Sequence, residues 1–429
     1  MSLFSSIKSR GHGLLRWSER YTKTDMVYLT SGGFWLGLSQ AAQMVFGLIL
    51  LVAFANLLPK ESFGTYQFII SAAAILSLFT LTGLGVAVMR AAAQGNAGAL
   101  RYALRVQIPW SIGIVLASGA ASAYYYLQGN TTLGLSFLII GAFQPFISGF
   151  GLYREYLLGK RAFREQSIRE IGRRAIPLIT LLSVLLATDQ IIIIIFTYFA
   201  SHTFSLALAY YLTVRAHPAN PVPDPTLTSY GKHVSVMAMA AKIAEHMDKI
   251  LIWNFLGAAP VAAYVLAQIP ISHVRGGTQL IHTLVYPKFT QKTLSELSES
   301  VPTKMRQYFL FVTAITITYI LAAPWLFETL FPAYSESVLY SQLLALALLL
   351  LPRSLIVQVF SAHAMKRELY TLTASIPFVR IVLLLVLLPL YGVMGVIVAF
   401  LISELVAAIL QQYLFQKVRR RHALGVDQI

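Results

Sequence analysis

The sequence predicts an all-α integral membrane protein with twelve transmembrane helices in two pseudo-symmetric six-helix bundles. Three observations carry that expectation. Hydrophobic residues make up 57% of the chain and charged residues 12%, with a mean hydropathy of +0.68. A soluble domain carries about twice that share of charge, so most of this chain must take lipid as its solvent. Apolar runs of about 20 residues, the length that crosses a hydrocarbon core, recur along the chain. A polar turn in the first half also returns in the second at a fixed offset.

Taken in order, the spans are 32–57, 64–89, 107–127, 131–153, 175–188, 190–214, 233–256, 258–285, 306–330, 335–362, 369–389 and 392–416. The fifth is the shortest, starts beside Arg173 and Arg174, and contains Pro177. Pro109, Pro145, Pro270, Pro324, Pro352 and Pro377 are expected to kink the third, fourth, eighth, ninth, tenth and eleventh. Around them lie a basic N-terminal segment (1–31), an N-terminal bundle (32–214), a Pro-rich linker (215–232), a C-terminal bundle (233–416) and a basic tail (417–429). The first 30 residues are basic without a small-residue cleavage site, so the first span is expected to stay as an anchor. Residues 3–17 read either as an interfacial helix or as a frayed tail.

The net charge of +16 invites a nucleic-acid reading, and its distribution argues against one. Twelve spans put both termini on one side. Of the 33 lysines and arginines, 27 then fall on the terminal side, five within spans and Lys60 alone on the other. By the positive-inside rule both termini are expected to face the cytoplasm, and no nucleic-acid partner is expected. There is no cysteine, which excludes disulfides, thiolate metal sites and cysteine nucleophiles. No phosphate loop, HExxH or paired-carboxylate motif occurs, so neither a cofactor nor a metal is expected. The segment 154–174 holds seven basic and three acidic residues. It reads either as a cytoplasmic helix held to anionic lipid or as a landing site for a lipid headgroup.

The repeat rests on an offset of 198, which aligns Asn56 with Asn254, Leu58 with Leu256, and Tyr66 with Tyr264. An offset of 202 aligns LLSVLL at 181–186 with LLLVLL at 383–388, and Ser201 with Ser403. Six spans per half give the halves one orientation, with an axis along the membrane normal, as in alternating-access transporters.

Ionisable residues at membrane depth are costly and mark functional candidates. In the seventh span Lys242, Glu245, His246 and Lys249 share about 100° of arc, with Asp248 beside them. In the eighth, Gln268, Arg275 and His282 are spaced by seven and share a face. Two readings follow: internal ion pairs lining a wet cleft, or a cationic lining that receives an anionic substrate. The lysines and Arg275 outnumber Glu245 and Asp248, which favours the second. Arg353 and Arg380 either line the same cavity or pair with Glu404 and backbone carbonyls. In the first span Ser39, Gln40 and Gln43 suit either hydroxyl hydrogen bonding or helix packing.

Several segments together resemble the polysaccharide flippases (Wzx-type) of the multidrug/oligosaccharidyl-lipid/polysaccharide exporter superfamily. They are FANLLPKESFGTYQF (54–68), TGLGVAVMR (82–90), DKILIWNFLGAAPVAAYVLAQIP (248–270), VYPKF (285–289) and YGVMGVIVAFLISE (391–404). Thr82 departs from the pattern, since that family often has an acidic residue before the Gly-Leu-Gly. The resemblance implies a V-shaped pair of bundles that flips undecaprenyl-pyrophosphate-linked oligosaccharide to the outer leaflet, for O-antigen, capsule or exopolysaccharide synthesis. It implies membrane lipids, a polysaccharide polymerase and a chain-length regulator as partners, and coupling to a proton or sodium gradient. Carried over, Lys242, Lys249, Arg275, His246, His282, Gln268, Gln40 and Gln43 would contact pyrophosphate or sugar. Glu245 and Asp248 would balance charge or carry the coupling ion. The competing readings are an ion-coupled multidrug exporter of the same superfamily, a peptidoglycan-precursor flippase, a major-facilitator transporter and a membrane-embedded polymerase or ligase. The short outer loops argue against the enzyme.

Overall fold

The computed structural model describes residues 26–219 and 225–423, and the side chains within 32–219, 226–269, 271–276 and 289–421. The 3–17 segment therefore lies outside the described residues. Most of the described chain is helical. The helices are α1 (Met26–Leu57), α2 (Lys60–Leu76), α3 (Leu84–Ala93), α4 (Ala99–Trp110) and α5 (Ile112–Leu127). Next come α6 (Thr131–Phe150), α7 (Tyr153–Gly159), α8 (Phe163–Ala187), α9 (Ile191–Ala216) and α10 (Pro225–Leu256). The last are α11 (Ala258–Thr290), α12 (Leu294–Leu330), α13 (Glu336–Ala345), α14 (Ser354–Ala362) and α15 (Lys366–Ala423), with a 3-10 stretch at Leu346–Arg353.

Each expected span is helical, with departures at identifiable residues. The second span breaks between α2 and α3, where the Gly83 amide donates to Ser235 Oγ at 2.8 Å. A β-carbon on Gly83 would lie 2.5 Å from the Ser235 nitrogen, so only glycine permits that approach. The tenth span passes through the 3-10 stretch at Pro352, whose ring cannot donate the regular helical bond. The eleventh and twelfth join as α15, bent at Gly392 (φ 58°, ψ −140°). The fifth is longer than its apolar run, because α8 starts at Phe163 and carries Arg169, Arg173 and Arg174 within the helix. Eight helical stretches among the described residues are long and apolar enough to cross a membrane. The last of them, Lys366–Arg421, holds two expected spans. The other three expected spans fall on α8, α10 and α11, which bear the charge clusters described below.

Caps that the hydropathy pattern does not reveal close two helices. Asn130 Oδ1 accepts from the Leu133 amide at 3.0 Å and starts α6. Thr293 and Glu296 form a reciprocal capping box at the start of α12. Large side chains such as Leu186, Leu321 and Leu390 are more than half exposed. That inverts the rule for a soluble protein and suits a lipid-facing surface.

The chain forms two compact units. One comprises α1 as far as Leu51, Phe79–Ala187 and Ile192–Val236. Its core packs Leu84, Val88, Leu100, Tyr153, Tyr156 and Leu157. The other comprises Val52–Leu78, Thr188–Ile191 and the chain from Met237 onward. It has one core around Ile252, Tyr264, Leu348, Leu388 and Ile397, and a second around Phe289, Val359, Phe360 and Phe415.

Within this second unit the repeated turns are structurally alike. α1 ends at Leu57 and α2 starts at Lys60; α10 ends at Leu256 and α11 starts at Ala258. Asn56 Nδ2 donates to the Val52 carbonyl at 2.9 Å, and Asn254 Nδ2 donates to the Ile250 carbonyl at 2.8 Å. Both asparagines thus bond back to a carbonyl four residues earlier in the last turns of a helix. α2 and α11 approach so closely that a β-carbon on Gly64 would sit 1.9 Å from the Ala258 carbonyl oxygen. Phe68 stacks on Trp253 with ring centroids 4.7 Å apart, and Lys60 pairs with Glu336 at 2.7 Å.

Candidate functional site

The second unit holds an open cavity of about 420 Å³ lined by α10, α11, α13 and α15. Helical spacing builds it. On α10, Glu245 and Lys249 stand one turn apart, with Asp248 between them on the neighbouring arc. On α11, Tyr264, Gln268 and Arg275 recur at intervals of four and seven and line one face. On α15, Arg380 precedes the Gly392 bend and Phe400 follows it, so both arms reach one space.

Asp248 is fully buried in the cavity wall. Its carboxylate accepts from Tyr264 Oη at 2.8 Å, the Lys249 amide at 2.8 Å and Gln268 Nε2 at 3.2 Å. Lys249 Nζ lies 3.4 Å away and Arg380 Nη2 3.2 Å away. An ionised carboxylate out of water needs such a set of donors, and here it has them. Gln268 also donates to Tyr264 Oη at 2.7 Å, which ties the amide into the same network. Arg275 Nη2 pairs with Glu404 at 3.1 Å. Both arginines lie over one aromatic ring, with guanidinium carbons 5.1 Å (Arg275) and 4.9 Å (Arg380) from the centroid of Phe400. The lining thus presents Lys249, Arg275 and Arg380 against one carboxylate, Glu245, which has no ion-pair partner among the described residues.

Of the residues picked out from sequence, Glu245, Lys249, Gln268 and Arg275 line this cavity and Asp248 stands behind them. Lys242 does not line it: two turns before Lys249, its Nζ donates to Ser77 Oγ at 2.7 Å. His246 is also outside the lining, and its Nδ1 is buried without a hydrogen-bond partner among the described residues. The side chain of His282 lies outside those described. Gln40 and Gln43 belong to the first unit, where Gln43 Nε2 donates to Ser39 Oγ at 3.3 Å. Of the two alternatives for Arg380, the structure agrees with the first. It lines the cavity, and it pairs with Asp248 rather than Glu404. Sequence reasoning missed Tyr264 as a ligand of Asp248, although the repeat had marked it. It also missed Phe400, which no pattern separates from an aromatic residue facing lipid.

The first unit carries a second charge cluster on α8. Glu170, 1% exposed, accepts from Tyr153 Oη at 2.9 Å and from Arg173 and Arg174. Burial pushes the Glu170 carboxyl up, but the hydrogen bond and charge of Arg173, with help from Tyr153 and Arg174, outweigh it and hold the group down at about 2. Arg169 pairs with Glu165 and donates to the Leu212 carbonyl at 3.1 Å. Burial lowers the Arg169 guanidinium below its ordinary value. Many of the charges of segment 154–174 therefore bind one another, while Arg164 lies 5.4 Å over the Trp35 ring.

A family model described as polysaccharide biosynthesis protein matches residues 29–293. No curated protein matches the sequence significantly. Among solved structures, the inward-facing conformation of a multidrug resistance MATE family transporter of the MOP superfamily aligns with a TM-score of 0.68 at 14% identity. That alignment covers 90% of this chain and 96% of the other. The lipid II flippase MurJ, in an inward closed conformation, gives 0.65 at 14% identity, over 90% of this chain and 87% of that one. A MOP superfamily transporter from Pyrococcus furiosus, described by a binding pocket of reversed polarity, gives 0.57 at 14% identity, over 92% and 95%. At these identities the likeness speaks for the fold, which is that of the MOP-superfamily transporters.

Proposed function

The chain belongs to the polysaccharide biosynthesis protein family, and from that premise we propose that it flips undecaprenyl-pyrophosphate-linked oligosaccharide from the cytoplasmic to the outer leaflet of the bacterial inner membrane. At the coarser level it is a multi-pass membrane transporter or flippase with the MOP fold. One observation carries the finer reading: Lys249, Arg275 and Arg380 line a cavity that also offers Gln268 and Ser272. Three cations suit a pyrophosphate, because guanidinium forks pair with phosphate oxygens in two-point contacts. The amide and hydroxyl suit sugar hydroxyls. The lipid tail needs no protein site, since it can stay in the bilayer while the headgroup crosses.

The 27-to-1 distribution of basic residues supports cytoplasmic termini. Glu245 is the carboxylate we assign to a coupling proton or sodium ion, because it faces the cavity and has no ion-pair partner among the described residues. The experiment is reconstitution in liposomes with a fluorescent undecaprenyl-pyrophosphate oligosaccharide, beside a cationic dye. Lipid movement that is lost in Arg275→Ala and Arg380→Ala is the expected result. Dye efflux without lipid movement would overturn the reading in favour of multidrug export.

A further inference from the structure

The two arginines on Phe400 are held in unequal ways. Arg380 is tied to Asp248, which is fully enclosed and has four further contacts from Tyr264, Gln268 and Lys249. To free Arg380, an incoming anion would have to leave a buried carboxylate short of a cation, which is strongly unfavourable. Arg275 pairs instead with Glu404. Both members of that pair are about a third exposed, at 32% and 28%, and Glu404 meets no second cation among the described residues. Glu404 stands one helical turn beyond Phe400, so the ring and the carboxylate reach Arg275 from the same face of α15. This half-buried pair is less enclosed than the Asp248 network, so exchanging its carboxylate for another anion disturbs fewer contacts. Arg380 also keeps its Nε buried without a hydrogen-bond partner among the described residues. The fixed arginine therefore still has a donor to offer.

We propose that Glu404 is an internal competitor of the substrate: it occupies Arg275 while the site is empty, and a phosphate group displaces it while Arg380 stays anchored on Asp248. This rests on the flippase reading and extends it to how the site releases its cargo. When Glu404 returns to Arg275 it expels the phosphate, so binding and release become an exchange of one anion for another. An exchange of this kind keeps the arginine paired at each stage.

The test uses the full chain in lipid nanodiscs, titrated calorimetrically with inorganic pyrophosphate. Wild type is compared with Glu404→Gln, Arg275→Ala and the double variant. Glu404→Gln should bind about fivefold more tightly, the equivalent of about 1 kcal/mol. Arg275→Ala should bind more weakly, and adding Glu404→Gln to it should change nothing, because the competition acts through Arg275. In liposomes Glu404→Gln should flip the lipid-linked oligosaccharide more slowly despite its tighter binding. If Glu404→Gln binds no tighter while Arg275→Ala binds more weakly, Glu404 merely orients Arg275. The competitor role is then overturned and the substrate reading survives. If wild-type protein binds no pyrophosphate, the substrate reading and this inference fall together.

Discussion

Asp248 shows how much a single residue can organise. It joins α10, α11 and one arm of α15 through Tyr264, Gln268 and Arg380. Asp248→Ala should destabilise the protein by about 3–5 kcal/mol, because it strands Arg380 and Lys249 without their carboxylate. Thermal unfolding in detergent would measure this, with Asp248→Asn expected to fall in between. Glu170 makes a second residue-scale prediction, now in pH. Its folded value of about 2 lies below the ordinary carboxylate value of 4.5. The stability this contributes, about 3 kcal/mol, is complete above pH 4.5 and is lost as pH falls towards 2. Wild type should therefore be more stable than Glu170→Gln at pH 7, and the gap between the two melting temperatures should narrow as pH falls from 4.5 towards 2. A gap that stays constant over that range would contradict the assignment.

Among the elements, the repeated hairpins show what packing asks of a sequence. α2 meets the start of α11 at Gly64, where there is no room for a β-carbon beside the Ala258 carbonyl. Gly64→Ala should cost about 1–3 kcal/mol by overpacking, measurable as a lower melting temperature. Lys60→Ala, a few residues away, removes a partly exposed pair with Glu336 and should cost less than about 1 kcal/mol. The contrast separates backbone approach from surface charge. Sequence periodicity located both turns, because the asparagines recur beside the two helix ends. It did not reveal the break at Gly83, since that depends on Ser235, 152 residues away.

Across the whole molecule, orientation and transport are the properties to test. The chain has no cysteine, so single cysteines can be introduced without background labelling. Glu61 and Lys366 are both exposed. In intact cells a membrane-impermeant maleimide should label Glu61→Cys, and should label Lys366→Cys only after permeabilisation. The reverse pattern would invert the topology. The hydropathy and the distribution of basic residues determined, without any coordinates, that the chain is an all-helical membrane protein, and where its spans fall. These follow from local composition, since each apolar run must satisfy its own backbone in lipid. Helical spacing also brought Glu245, Asp248, Lys249, Gln268 and Arg275 under suspicion, because residues on one face of one helix can be read from the chain. Which cation pairs with which carboxylate was decided by tertiary structure alone. Arg380 could have met Glu404 and instead meets Asp248, and Lys242 shares an arc with Lys249 yet turns to Ser77. Pairing depends on distances between helices far apart in sequence, and no periodicity within one helix encodes them.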